Sequence, residues 1–224
     1  MKSHHARQLP FGFIALAALI LPGSAGATMI YGNLGAINIS SGYAVSATSW
    51  GANSFTTGSG TSQMSDVILA LEGVPAAAGT LTVSLYSSTN NTPATDLATL
   101  GTIADNSLST SMYTAQTVNV SGVTLSANTM YFIVLSGSTT GSSDGLWELS
   151  NSNIGTGVTG QYSGDYNSGL GWDISKNGSG NSDFTVKPFI MQVDVGSSTP
   201  EPDTWYGALS GLAAILATRR RRRV

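Results

Sequence analysis

The chain has no cysteine, and both of its histidines, His4 and His5, stand within its first five residues. Over residues 28–199 neither type occurs. That removes disulfide stapling, thiolate and imidazole metal sites, and Ser-His-Asp or Cys-His catalysis from the whole span. Basic side chains are nearly as scarce. Of the 9 Lys and Arg, this span keeps only Lys176 and Lys187, while of the 12 Asp and Glu only Glu201 and Asp203 lie beyond it. No basic patch can be assembled there to neutralise phosphates, which argues against nucleic acid as a partner. Long apolar runs are missing too. Neither of the two apolar segments reaches the length of about 20 residues that an unstrained membrane-spanning helix needs.

What is present is easiest to see at the two ends. Lys2, His4, His5 and Arg7 form a basic start, Phe11 to Leu21 an apolar stretch, and Pro22 to Ala27 a small-residue stretch. This is the order of a secretory signal peptide. Ala25 and Ala27 satisfy the A-x-A rule, so cleavage is expected before Thr28, giving a leader over residues 1–27. At the other end, Pro200-Glu201-Pro202 lies in a linker over 197–204. An apolar segment follows over 205–218, and then a basic tail over 219–224 carrying Arg219, Arg220, Arg221, Arg222 and Arg223. The apolar segment is expected to be a short transmembrane helix. Its rise is about 21 Å against a hydrocarbon core of about 30 Å, so it spans with local thinning or snorkelling. The arginines resist translocation and hold the tail on the cytoplasmic side.

Pro200-Glu201-Pro202, the short apolar helix and the terminal arginine cluster together resemble the PEP-CTERM sorting signal of Gram-negative bacteria. The resemblance implies recognition by an exosortase-type membrane transpeptidase. It also implies a transient stay in the inner membrane, and release to the cell surface or the exopolysaccharide matrix.

Between the ends, apolar residues alternate with the period of strands. Val67, Leu69 and Leu71 share one face, and Leu81, Val83 and Leu85 share another. Further strands are expected at 43–50, 114–120, 129–135, 146–149 and 189–195, separated by Gly, Asn, Ser and Asp clusters. The stretch 97–103 fits a helical turn or a strand, and Gly101 favours the strand. No amphipathic helix is evident. The expected fold is all-β: one antiparallel β-sandwich over 28–196, with jelly-roll or Greek-key connections, flanked by the signal helix and the short C-terminal helix. The runs Leu81-Thr-Val-Ser-Leu-Tyr86 and Leu125-Ser-Ala-Asn-Thr-Met-Tyr-Phe-Ile-Val-Leu135 resemble the choice-of-anchor R domain of PEP-CTERM-bearing proteins. That family is defined by association with surface anchors and not by a reaction, so the resemblance implies no catalytic residues.

Three kinds of residue remain as site candidates. The acid pairs Asp144 with Glu148 and Asp165 with Asp173 are the only material for glycosidase-type acid/base work. Solvated loop acids are the expected reading, since charged side chains are mostly exposed. Asp173-Ile-Ser-Lys-Asn177-Gly178 begins like a calcium loop, but Phe184 stands at the twelfth position where a glutamate is required and Asp183 comes one residue early. Turn chemistry is the reading there, and no metal or other cofactor is expected. The aromatics are the only ligand candidates: Trp172, Tyr166 and Tyr162 in a Gly/Asn-rich stretch, with Trp50, offer flat faces to sugar rings, whereas Trp147 between Leu146 and Leu149 is expected in the core. The expected function is that of an exported, non-catalytic cell-surface or matrix protein that meets extracellular polysaccharide. A glycan-active enzyme or carbohydrate-binding module using the Trp172 and Tyr166 region is the alternative.

Overall fold

In the computed structural model, the described residues are 27–36, 41–150, 152, 154–158, 160–167, 171–176 and 188–196. Ala27 is the first of them. Ala25 and the rest of the leader, the Pro200-Glu201-Pro202 motif, the apolar segment 205–218 and Arg219 to Arg223 lie outside the described residues.

Thirteen strands are described: β1 (Ala27–Gly32), β2 (Gly42–Val45), β3 (Ser49–Thr56), β4 (Ser62–Gly73), β5 (Thr80–Thr89), β6 (Thr92–Ala104), β7 (Thr114–Asn119), β8 (Thr124–Leu125), β9 (Met130–Gly137), β10 (Gly145–Glu148), β11 (Tyr162–Asn167), β12 (Gly171–Lys176) and β13 (Met191–Gly196). They form two antiparallel sheets, and no α-helix occurs among the described residues. The first sheet is built around β4. Along one edge β4 pairs with β13 and then β10, along the other with β7 and β8, while β1 extends β13 and β2 extends β10. The second sheet runs β12-β11-β3-β9-β5-β6.

The alternation in the sequence becomes the inner faces of these sheets. Val67, Leu69 and Leu71 of β4 and Met191 and Val193 of β13 meet Phe55, Leu81, Val83, Leu85, Ile133 and Leu135 of the second sheet in one continuous core. Each such side chain, removed fully from water, stabilises the fold by about 1.5–3 kcal/mol relative to exposure. Trp147 is fully buried in that core, as its apolar neighbours predict; its ring stacks on Phe189 at 4.4 Å and its Nε1–H donates to the Ile190 carbonyl at 3.0 Å. β5 and β6 are joined by Asn90-Asn91, both at positive φ (51° and 61°). That geometry matches the twist of the flanking strands, and asparagine tolerates it better than other non-glycine residues.

Two buried asparagines hold the segment entering β13, Asn53 from the second sheet and Asn33 from the end of β1 in the first. Asn53 of β3 donates to the Tyr31 hydroxyl at 2.9 Å and accepts the Phe189 N–H at 3.2 Å. Asn33 donates to the Phe189 carbonyl at 3.1 Å and accepts the Met191 N–H at 2.8 Å. Backbone groups that would otherwise be stranded inside the core are thereby satisfied.

Some expectations are corrected. The strand expected at 43–50 is the end of β2 and the start of β3, because the chain turns at Ser46, where the Ser46 N–H donates to the Ser49 carbonyl at 2.8 Å. The stretch 97–103, by contrast, is strand throughout, within β6, the alternative that Gly101 favoured. The polar stretch before Trp172 contains β11, which the sequence pattern does not disclose.

Candidate functional site

The second sheet has a face turned away from the shared core, and aromatic side chains gather on it. Side chains of a strand alternate between faces, so Trp50 and Ala52 of β3, Tyr162, Gly164 and Tyr166 of β11, and Trp172 and Ile174 of β12 all point the same way. Register then sets them in rows. Tyr166 is opposite Trp50 on one side and opposite Trp172 on the other, and Gly164 is likewise opposite Ala52 and Ile174. The result is an unbroken aromatic row across three strands. Ring centroids of Trp50 and Tyr166 are 4.9 Å apart, those of Tyr166 and Trp172 5.3 Å, and those of Trp50 and Trp172 6.5 Å. These lie within the range of favourable offset and edge-to-face contacts.

Beneath and beside the row is a second, smaller apolar cluster. Ala52, Phe132 and Val134 are fully buried although they face away from the main core, and Tyr86, Met130, Tyr162, Trp172, Ile174 and Trp50 pack around them. Cα atoms of the two edge strands, β12 and β6, come within 8 Å of each other, so the sheet is curled, and the burial of Ala52, Phe132 and Val134 away from the main core fits a curl toward this face. Gly164 makes the curl possible at its floor. A Cβ there would collide with the Ile174 side chain and the Asp173 carbonyl. Trp50 is held by its Nε1–H, which donates to the Ala47 carbonyl at 3.1 Å. At the β5 end, burial and the nearby Asp96 carboxylate push the Tyr86 hydroxyl above its ordinary value, so it stays a neutral donor.

Trp172 and Tyr166 are brought together as the sequence reading requires, and Tyr162 joins the same face one row along. Trp50 is their central partner, and Trp172 belongs to a strand. All four rings are partly exposed. The arrangement can bury the flat apolar face of a ligand while phenolic and indole edges supply hydrogen bonds.

The expectation of solvated loop acids is corrected for Asp144 and Glu148, which are buried, while Asp165 is half-buried and Asp173 exposed, both on strands. Asp144 and Glu148 are each fully buried and belong to different neighbourhoods. Asp144 lies against Asp105. Glu148 and Glu72 act on Tyr113, whose hydroxyl is pushed up to about 12 by burial first and then by the two carboxylates. Asp165 and Asp173 are brought directly opposite each other across β11 and β12. Burial and then Asp173 raise the Asp165 carboxyl, and a hydrogen bond from Tyr43 opposes the shift. Asp165 and Asp173 alternate with Tyr166 and Trp172 along their strands and so occupy the opposite face of the sheet from the aromatic row. Asp66 and Asp194 form a further like-charge pair across β4 and β13, unmarked in the sequence because the partners are far apart along the chain.

Asp173 to Lys176, the start of the calcium-like stretch, are in β12, and Asn177 to Asp183 lie outside the described residues. Among the described residues no three His, Cys, Asp or Glu side chains gather as a metal-binding set. No family model matches the chain, and no curated protein matches it either.

Proposed function

We propose that this is an exported, non-catalytic surface or matrix protein whose body binds neutral polysaccharide on the concave aromatic face of its six-stranded sheet. The aromatic row Trp172, Tyr166 and Trp50 carries the reading. Three rings in register on one concave face, with their edges partly open, suit the C–H faces of successive sugar units. The surplus of acids over the two lysines of residues 28–199 disfavours polyanionic glycans and nucleic acid. Within the same proposal the body is a β-sandwich with jelly-roll or Greek-key connections, supported by the single core that both sheets share. The leader, the Pro200-Glu201-Pro202 motif, the C-terminal helix and the arginines direct export, membrane arrest and release by an exosortase-type transpeptidase.

A glycan-hydrolysing alternative finds less support. Asp165 and Asp173, the one anticipated acid pair that is juxtaposed, are separated by the sheet itself from a sugar stacked on the aromatic row.

The test is retention on immobilised neutral polysaccharides, with Trp172→Ala, Tyr166→Ala and Trp50→Ala compared with the unchanged protein. Loss of one stacked ring is expected to weaken binding about 5- to 30-fold. Equal retention of all three variants, or no retention on any neutral glycan, sinks the binding claim. The sorting claim is separate. Intact mass of the exported species is expected to run from Thr28 to near Pro200, and a membrane-bound species that keeps its arginines would contradict it.

A further inference from the structure

The strongest unassigned feature lies where loops from both sheets meet, around Gly79 just before β5. Asp105, in the 3-10 turn after β6, and Asp144, at the end of the connection between β9 and β10, bring their carboxyl groups together there. Both are deeply buried, Asp105 at 2% exposure and Asp144 at 0%. One oxygen of each is satisfied by backbone: Asp105 Oδ2 accepts the Gly79 N–H at 2.7 Å, and Asp144 Oδ2 accepts the Thr139 N–H at 2.8 Å. The other two, Asp105 Oδ1 and Asp144 Oδ1, accept from no N–H or hydroxyl among the described residues, so the two carboxyls can meet only through a shared proton or a cation.

Further oxygens converge on the same place. Thr139 Oγ1 and Ser138 Oγ lie 2.5 and 2.7 Å from the point that a Cβ on residue 79 would occupy, and Asp144 Oδ1 is nearer still. No hydrogen bond joins Asp144 Oδ1 to either hydroxyl. Glycine at 79 and at 137 is what allows the Asp144 carboxyl to sit here, because a Cβ at either position would strike one of its oxygens.

Two adjacent buried carboxylates repel, and each carries a desolvation cost that only an opposite charge offsets. Burial and then the Asp144 carboxylate push the Asp105 carboxyl up to about 6, with the Gly79 N–H opposing. The chain has little of its own to supply as a counter-charge: residues 28–199 hold two lysines against ten acids. A shared proton could neutralise the carboxyls. A cation would use more of what is there: the Ser138 hydroxyl, held by the Thr80 N–H at 2.8 Å, and the Thr139 hydroxyl bring two further oxygens to the same place. Hard divalent cations take such mixtures of carboxylate, hydroxyl and carbonyl oxygen, and calcium tolerates irregular geometry.

We propose that Asp105 and Asp144, with the Ser138 and Thr139 hydroxyls, bind a calcium ion that fastens the β9–β10 connection to the turn after β6. The site differs from the Asp173 to Asp183 stretch considered from sequence, and it is independent of the aromatic face. Its affinity is expected in the range of extracellular calcium modules, a dissociation constant of about 0.1–1 mM.

The experiment is thermal unfolding of the full chain at pH 7.5 in 10 mM calcium chloride against EDTA, paired with calorimetric titration of the folded protein with calcium. Calcium is expected to raise the midpoint by roughly 3–10 °C. Asp105→Asn and Asp144→Asn should lose most of that rise, while Asp96→Asn and Asp194→Asn, which leave the site intact, should keep it. Ser138→Ala combined with Thr139→Ala alters the rim without touching either carboxyl, and is expected to weaken calcium binding several-fold in a protein that still folds. No rise and no titration heat in the unchanged protein overturn the proposal and leave a proton-sharing acid pair. A rise kept in full by both Asn variants overturns it as well.

Discussion

Replacing Asn53 by leucine tests whether the two sheets are held in place by polar clamps or by apolar packing alone. Asn53 is buried at 0% exposure and makes two hydrogen bonds that no apolar residue can replace, one to the Tyr31 hydroxyl and one from the Phe189 N–H. Leucine has the same number of side-chain heavy atoms in the same branched shape and is somewhat bulkier, so the substitution opens no cavity. It leaves the Phe189 N–H without this acceptor and the Tyr31 hydroxyl without this donor, at about 1–3 kcal/mol for each buried group left unsatisfied. The added apolar burial offsets about 1–2 kcal/mol. At mid-range, about 4 kcal/mol lost against about 1.5 regained, the net loss is about 2.5 kcal/mol, or roughly 5–10 °C in the midpoint of a domain this size. Thermal unfolding of the full chain, followed by tryptophan fluorescence, reads the midpoint, and urea denaturation the free energy. Asn53→Asp provides the internal control. A carboxylate can accept from both Tyr31 and Phe189, so it keeps the geometry but buries a charge. Its carboxyl is expected to be raised by burial, so its contribution is favourable at low pH and is lost as pH rises through the folded value. Asn53→Asp should therefore be the weaker variant at pH 7.5 and gain on Asn53→Leu near pH 4.5. An Asn53→Leu midpoint within about 2 °C of the unchanged protein would refute the clamp, because packing alone would then account for the order of the core.

Two further outcomes follow from the same structure. Burial, with Asp173 beside Asp165 and Asp66 beside Asp194, raises the carboxyls of Asp165 and Asp194, so their share of stability is present below the ordinary carboxylate range and lost as pH rises through the folded values. In EDTA the melting temperature should fall between pH 4.5 and 7.5, less steeply in Asp194→Asn; a rise over that window would contradict the assignment. Trp147→Phe removes the indole donor to the Ile190 carbonyl and part of the stack on Phe189, and is expected to cost about 2–3 kcal/mol in urea denaturation. A cost below about 0.5 kcal/mol would mean that the core repacks around the smaller ring.

Strand periodicity was legible because it is local. Val67, Leu69 and Leu71, or Leu81, Val83 and Leu85, state their faces within a few residues, and Trp147 declares itself core through its immediate neighbours. The absence of cysteine and internal histidine, and the poverty of lysine, likewise need no structure to interpret. Tertiary structure decided everything that depends on register between distant segments. The polar run before Trp172 reads as loop because strand preference is mostly a property of the surface a strand packs against, and β11 acquires that surface only between β3 and β12. The same register converts scattered aromatics into the row Trp172, Tyr166 and Trp50. It sets Asp165 on Asp173 and Asp66 on Asp194, while the meeting of loops from the two sheets sets Asp105 on Asp144. Composition alone determined that this body would be acidic and nearly without cations. Only the pairing of strands and the packing of sheets determined that several of its acids would be set against one another, and that Asp105 and Asp144 would meet inside the fold, where the chain provides scarcely any cation to neutralise them.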